Sequence, residues 1–448
     1  MNSTHDTIVT RFPPSPTGLL QAGNVRTAVF NYLFAKKHGG KFVLRIEDTD
    51  RERSKSEYEQ NIIDTMKWLG FEYDEFYRQS EHAPRHSEVL SKLIEQGDAY
   101  VSQETPKEAG QRAEVIRFKN PNTAVTFTDV IRGDITIDTT DLGDFVIGRS
   151  LTEPLYHLGV TVDDFDEGIT HVIRGEDHIS NTPRQILILR ALGAPIPTYA
   201  HLPLVFGTDK QKLSKRRGAK AITEYRDEGY LPEAMINYLA LLGWHPEGKD
   251  EGEQEVFTVP ELLEQFTLER IQKSSGVFDE AKLKWFNYEH LKRLSDEEFT
   301  DRITTFMAAH GQEVPEYMPQ ILTLLRERSQ TLGEARDALI MGEFAFMVVT
   351  PNPGPDLLIQ GAKADAATVK RHLEHIHRLL ESVGPEFTDA TVKAAIFDYA
   401  TEVGRASVLW PLRVALSGRE KSPDPFTLAG LIGKEHTLSR IVAAAELL

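Results

Sequence analysis

At 448 residues the chain is too long for one ordinary hydrophobic core, and three or more packed units are expected. Hydrophobic residues make up 40% and charged residues 27%, a globular balance, and no apolar run approaches the ~18 residues of a membrane helix, so no membrane span is expected. Cysteine is absent, which excludes disulfide frameworks, thiolate nucleophiles, Fe–S clusters and cysteine-based zinc knuckles, while a formal net charge of −17 speaks against coating nucleic acid through a global positive field.

Met1 to Thr10 shows neither a basic start followed by an apolar run nor an Arg-rich amphipathic pattern, and a cytoplasmic location is expected. Ile8 to Phe12 reads as a strand, Pro13 to Gly18 as a turn-rich loop and Asn24 to Lys37 as a helix ended by Gly39 and Gly40. Phe42 to Ile46 is a second strand with Glu47, Asp48 and Asp50 at its exit, and Ser56 to Leu69 a second helix closed by Gly70. This alternation points to a parallel sheet. From Ala99 to Ile147 the texture changes to short β-rich segments such as Val125 to Phe127 and Asp134 to Ile137, which reads as an insertion. Strand-like alternation resumes with Leu158 to Val162 and Ile169 to Arg174, followed by a helix from Thr182 to Leu192 and an apolar segment from His201 to Phe206, so the sheet is split by the insertion. Beyond Pro232 helical patterns dominate, in Glu233 to Leu242, Glu316 to Arg328, Leu332 to Met341 and Ala390 to Ala400, with Pro351 to Pro355 as a linker between helical subdomains.

Two segments carry chemistry. Arg11 to Gly18 with Gln21 to Asn24 lies between a strand end and a helix start, where unsatisfied backbone N–H groups and the helix dipole favour an anion and Gly23 admits a ligand closely. Alone, it reads equally as an ordinary loop capped by Asn24, and it is not the G-x-G-x-x-G turn of a dinucleotide site. Asp209 to Gly218 holds five cations, Lys210, Lys212, Lys215, Arg216 and Arg217, and alone reads as a solvated basic loop or a nucleic-acid patch. Together the segments suit displacement on ATP, which needs positioning and neutralisation of charge on a leaving pyrophosphate.

The loop Lys212 to Arg216 resembles the KMSKS loop of class I aminoacyl-tRNA synthetases, and Gln21 to Asn24 falls where that family carries its HIGH motif. Arg11 to Gly18, Arg45 to Asp50, Leu155-Tyr156 and Thr170 to His178 resemble the bacterial glutamyl branch, as do Gly229 to Trp244 and Trp410 to Gly418. The resemblance implies an α/β multidomain protein. A split Rossmann-like parallel-sheet catalytic domain (1–98 and 151–206) would carry an inserted α+β acceptor-end-binding domain (99–150). A stem-contact region with the KMSKS-type loop (207–305) and a mainly helical anticodon-binding domain in two subdomains (306–448) would follow.

By the same resemblance Lys212, Lys215, Gln21 and Asn24 are catalytic, and Gly23 and Arg216 join them in binding ATP. Arg11 and Arg174 hold the glutamate side-chain carboxylate, Glu47 its ammonium, and Tyr156 and Ser15 lend polar contacts. ATP with Mg2+, L-glutamate and tRNA-Glu are the implied substrates and partners, tRNA-Gln is a second candidate, and a monomer is implied.

Two features depart from the pattern. Gln21 replaces the histidine that usually opens the HIGH motif, and a neutral amide donates more weakly than an imidazolium. Tyr100 to Arg117 is short and lacks the cysteines of a zinc site, so no structural zinc is expected. His372, His375 and His377 read as a solvated helix face rather than metal ligands. The rival readings are a tRNA-binding regulator that has lost adenylation, glutaminyl specificity, and a tRNA-base-modifying relative. The retained lysines disfavour the first and the helical C-terminal half the other two.

Overall fold

Strand β1 (Val9–Phe12), helix α1 (Ala22–Lys37), strand β2 (Lys41–Ile46), helix α2 (Ser56–Leu69) and strand β3 (Glu75–Arg78) open the chain in the predicted alternation. The computed structural model describes residues 7–104, 114–211, 213, 219–246 and 254–448. The strands are parallel in the order β1, β2, β3, and a helix crosses over between successive strands, as parallel pairing requires. Gly70 ends α2 at φ 70°, a left-handed cap that glycine takes without steric cost. Helix α1 begins two residues earlier than predicted: Gln21 is its N-cap, and Asn24, one turn in, accepts from Gln21 N at 3.4 Å instead of capping the helix itself.

Helix α3 (Ala83–Gln96) leads into β4 (Ala99–Gln103), β5 (Glu114–Phe118), β6 (Ala124–Asp129), β7 (Gly133–Asp138), β8 (Phe145–Ser150) and β9 (Glu153–Pro154). These strands divide. β4, β5, β8 and β9 form an antiparallel sheet whose Ala99, Ile116, Phe118, Phe145 and Ile147 share a core with Val89, Leu90 and Leu93 of α3. β6 and β7 form a hairpin that joins a different sheet.

Helix α4 (Tyr156–Asp166) corrects the reading of Leu158 to Val162 as a strand. Every residue from Leu158 to Asp164 is buried, and a helix covered on all sides loses the polar breaks that mark its 3.6-residue period. After β10 (His171–Gly175), α5 (Thr182–Leu192) crosses over to β11 (Thr198–Leu202), which pairs with β10 in parallel and with β6 through Tyr199 and Asp129. β10 lies beside β1: Thr170 N donates to Val9 O at 3.0 Å, and Asn31 Nδ2 of α1 donates to Ile173 O at 3.0 Å. The strand order is therefore β3, β2, β1, β10, β11, β6, β7. The strand order grows one way from β1 to β3 and the other way from β10 to β11, so a crevice opens at the carboxyl ends of β1 and β10, where doubly wound folds place ligands.

β12 (Val205–Gly207), α6 (Ile222–Asp227), α7 (Pro232–Leu241), α8 (Val259–Gln265), β13 (Gly276–Phe278) and α9 (Glu280–Arg293) follow. Their Met235, Leu239, Trp244, Phe257 and Phe286 pack in one core with Val25, Val29 and Leu33 of α1. By its internal contacts the chain separates into two units, residues 1–290 and 291–448.

The second unit is helical: α10 (Asp296–Ala309), α11 (Met318–Arg328), α12 (Leu332–Ile340), α13 (Pro355–Gln360), α14 (Ala366–Glu381), α15 (Asp389–Val403), α16 (Arg405–Ser417) and α17 (Pro425–Glu446). Pro355 starts α13 at a position where no intrahelical N–H is needed. α14 buries Val369, Leu373, Ile376 and Leu380 along one face. Its histidines are not turned on one another: His372 Nδ1 meets the Tyr399 hydroxyl at 2.6 Å and the His375 ring lies 4.1 Å from the Tyr399 ring. Trp410 donates to Leu357 O at 2.9 Å and lies so close to Gly361 that a Cβ there would sit 2.3 Å from the indole. Among the described residues no helix is long and apolar enough to cross a membrane.

Candidate active site

A cleft of about 570 Å³ opens at the carboxyl ends of β1 and β10. Its lining includes Arg11, Ser15, Gln21, Gly23, Asn24, Glu47, Tyr156 and Arg174, so every predicted site residue among the described ones faces the same space. Lys212, Lys215 and Arg216 lie outside the described residues; Leu213, between the two lysines in the chain, lines the cleft. Among the described residues, a Cβ at Gly23 would meet no atom within 4 Å beyond its own helix, which leaves the first turn of α1 open to a ligand. The Gln21 side chain donates to Ala219 O at 3.2 Å and so ties the start of α1 to the exit of the basic loop.

Beneath the cleft runs a buried ion network. The Arg45 side chain is fully enclosed: Nη1 meets Glu167 at 2.6 Å, Nη2 meets Asp164 at 2.8 Å and Glu47 at 3.4 Å, and Asp163 lies 4.0 Å from Nε. Arg11 Nε reaches the same Asp164 at 3.1 Å. Burial, with the crowding of carboxylates, pushes Glu47 up to about 7 and Glu167 up to about 8 against the pull of Arg45. Asp164 goes the other way: burial opposes ionisation, but the Arg11 and Arg45 guanidinium groups hold it below the ordinary carboxylate range.

Arg174 is placed differently. Its Nε donates toward His201 Nε2 at 3.2 Å and its Nη2 to Thr182 Oγ1 at 2.8 Å, while among the described residues Nη1 is buried without a protein partner. Among the described residues no carboxylate is paired with it. A buried guanidinium in that state is incomplete, and an anion in the cleft would complete it. Near it the Tyr156 hydroxyl meets His178 Nδ1 at 3.0 Å. Burial and the Glu47 carboxylate push the phenol up to about 12, and burial beside Arg174 lowers His178 to about 4, so the phenol donates to a neutral imidazole.

Residues 7–114 and 105–285 match the family model described as tRNA synthetases class I (E and Q), catalytic domain, and residues 289–445 match an anticodon binding domain. Glutamate–tRNA ligase of Nitrosospira multiformis is 40% identical, with 97% of this chain and 98% of that relative covered, and the one of Aquifex aeolicus is 41% identical over 98% and 99%. The crystal structure of a glutamate tRNA ligase from Elizabethkingia meningosepticum in complex with its amino acid superposes with a TM-score of 0.84 at 31% identity, covering 99% of this chain and 100% of that one. The chain belongs to the glutamate–tRNA ligase family.

For a glutamate–tRNA ligase, the class I catalytic domain and the helical anticodon-binding domain account for both units of the fold. Sequence reasoning singled out the groups that face the cleft and missed those behind it: Asp163, Asp164 and Glu167, and the pair Asp129 and His201. The one local signal was the acidic doublet Asp163-Asp164 closing an apolar run, a place where charge is costly unless paired. One group among the described residues has the donor set of a metal site: His82, His86 and Asp163, with ligand atoms within 4.8 Å of one another. Its atoms contact each other directly. Asp163 Oδ1 lies 2.6 Å from His86 Nε2 and 3.0 Å from His82 Nδ1, and Gln79 donates to Oδ2 at 2.8 Å, a hydrogen-bonded cluster.

Proposed function

We propose that this chain joins L-glutamate to the 3′-terminal adenosine of tRNA-Glu, with tRNA-Gln as a second acceptor to be tested. The observation that carries this reading is the pair of guanidinium groups in one cleft, with the Nη1 corner of Arg174 buried and unpartnered. Arg11 and Arg174 receive the side-chain carboxylate of glutamate, Glu47 its ammonium, and Tyr156 and Ser15 complete the polar wall. ATP lies along Gln21, Gly23 and Asn24 at the amino end of α1, with Lys212, Lys215 and Arg216 from the basic loop over its phosphates.

The α-carboxylate of glutamate, ionised near neutral pH, attacks the α-phosphorus, and the bond to pyrophosphate breaks. The lysines neutralise the leaving group. The 2′-hydroxyl of the terminal ribose then attacks the mixed anhydride, releasing AMP. A magnesium ion carried in on the phosphates and their waters would offset pyrophosphate charge. Residues 99–150 hold the acceptor end, 207–305 the stem and 306–448 the anticodon, in a cytoplasmic monomer. Incorporation of labelled glutamate into tRNA-Glu and tRNA-Gln transcripts, with ATP and magnesium beside a Lys215→Ala control, tests this. Transfer that the control abolishes supports it, and tight tRNA binding without transfer would make the chain a regulator.

Two predictions follow from this placement. Glu47 titrates at about 7 in the free protein, and only its ionised form attracts the substrate ammonium. The KM for glutamate therefore rises as pH falls through 7, by up to roughly tenfold per unit below it, while the KM for ATP stays level. Glu47→Gln removes that slope. The second concerns Gln21, which offers phosphate a neutral amide already bonded to Ala219. Gln21→His raises turnover, by up to about tenfold from the difference between neutral and charge-assisted hydrogen bonds. Equal or lower turnover in the aminoacylation assay would count against that role.

A further inference from the structure

Behind Arg174 lies a second layer that reaches across three strands. His201 in β11 sits opposite Arg174 in β10, and Asp129 ends β6, the strand that residues 99–150 contribute to the parallel sheet. All three side chains are buried, with relative exposures of 0% for His201, 1% for Asp129 and 6% for Arg174. Asp129 Oδ2 accepts the His201 backbone N–H at 2.9 Å and lies 2.7 Å from His201 Nδ1, while Oδ1 accepts from Ile131 N at 3.0 Å and Arg132 N at 2.9 Å. Four donors on one carboxylate keep it ionised: burial opposes, yet His201 and the backbone N–H groups hold it below its ordinary range.

An ionised carboxylate only accepts, so the proton between Asp129 and His201 belongs to Nδ1. In a neutral imidazole that places the lone pair on Nε2, facing the Nε–H of Arg174 at 3.2 Å. The opposite tautomer would set two N–H groups head to head, and a protonated ring would add a second cation against the guanidinium. Burial, with Arg174 alongside, lowers His201, which keeps the ring neutral. Thr182, 0% exposed, accepts from Arg174 Nη2 at 2.8 Å and holds the other end of the same edge. The Nε and Nη2 edge of the guanidinium is thereby committed to the protein, and among the described residues Nη1 is the corner left without a partner.

We propose that Asp129 and His201 are positioning residues for the glutamate side-chain pocket: Asp129 fixes the imidazole tautomer, and His201 Nε2 holds the Nε edge of Arg174 so that Nη1 remains for the substrate carboxylate. This rests on the assignment of Arg174 to that carboxylate. It also makes a strand of the 99–150 segment part of amino-acid recognition, because Asp129 belongs to it.

The test is aminoacylation of tRNA-Glu by Asp129→Asn, His201→Gln, Arg174→Ala and the double variant His201→Gln with Arg174→Ala, each checked for folding by circular dichroism. In Asp129→Asn the amide can face His201 Nδ1 as a donor and drive the ring proton to Nε2, against Arg174. The expected result is a rise of about tenfold in the KM for glutamate in both single relay variants, with the KM for ATP and kcat within about twofold of the parent. The double variant is no worse than Arg174→Ala alone, because both changes act through one group. If His201→Gln does not fold, the near-isosteric Asp129→Asn carries the comparison. A parallel rise in the KM for ATP, or additive losses in the double variant, overturns the proposal as mere core support. An effect of Arg174→Ala on glutamate without any from the relay variants overturns the relay alone. No effect of Arg174→Ala, in a parent that charges tRNA, overturns the pocket assignment and the relay with it.

Discussion

Replacing Arg174 with alanine is expected to raise the KM for glutamate by two to three orders of magnitude and leave the KM for ATP within a few-fold of the parent. The size follows from the state of the guanidinium before substrate binds. It is buried, its Nε and Nη2 are fastened to His201 and Thr182, and its Nη1 has no partner, so its desolvation is already complete and its geometry already set. An anion that meets such a group gains a charge-assisted hydrogen bond with little further ordering cost. Truncating one member of a buried, hydrogen-bonded charge pair costs ~2 to 5 kcal/mol, or roughly 30-fold to several thousand-fold. Arg174→Lys should fall between, because an ammonium keeps the charge but cannot hold two neighbours and a substrate in one plane. Initial aminoacylation rates against glutamate at saturating ATP and tRNA decide it; a KM within threefold of the parent would remove Arg174 from the pocket.

The sequence made the entrance to this site readable and left its foundation hidden. β1, α1, β2 and α2 are legible because each is a local pattern with its own stop, such as Gly70 at φ 70°. Arg11, Glu47, Tyr156 and Arg174 were found by resemblance, since no local pattern distinguishes a strand-end arginine that binds substrate from one that pairs inside the core. Their convergence needed the sheet order, with β10 set beside β1 across 161 positions by the Thr170 to Val9 contact. Helix α4 was misread in part because burial on every side erased its period, and with it went the meaning of Asp163 and Asp164. The hairpin of β6 and β7 looked like part of a separate insertion, yet it extends the same sheet as the site through Tyr199 and Asp129. Such long-range pairing leaves no mark on local composition.

Asp164→Asn tests that hidden layer, and its effect is expected on stability as well as on glutamate. Asp164 is the carboxylate shared by Arg11 and Arg45, at 3.1 and 2.8 Å. Both of those contacts are to Oδ1, so an amide of the same shape can keep them but turns its NH2 toward Arg11 Nη2, which Oδ2 faces at 3.5 Å, and it removes a negative charge from between two buried cations. Breaking a buried pair by removing one partner costs ~3 to 5 kcal/mol, and at about 2 to 4 °C per kcal/mol the melting temperature should fall by roughly 10 °C. The neighbouring exposed pair is the control. Asp166 meets Arg85 at 2.8 Å near solvent, so Asp166→Asn should stay within about 1 kcal/mol of the parent. The acid side gives the sign. Because the folded pKa of Asp164 is depressed, its contribution is fully present above the unfolded value of about 4 and is lost as pH falls through the lowered folded one. The gap between parent and Asp164→Asn should therefore be widest near neutral pH and close in strong acid. Loosening of Arg11 should raise the KM for glutamate alongside. A variant that melts with the parent at neutral pH would show that Arg11 and Arg45 are held by other groups, and that Asp164 does not join the fold to the pocket above it.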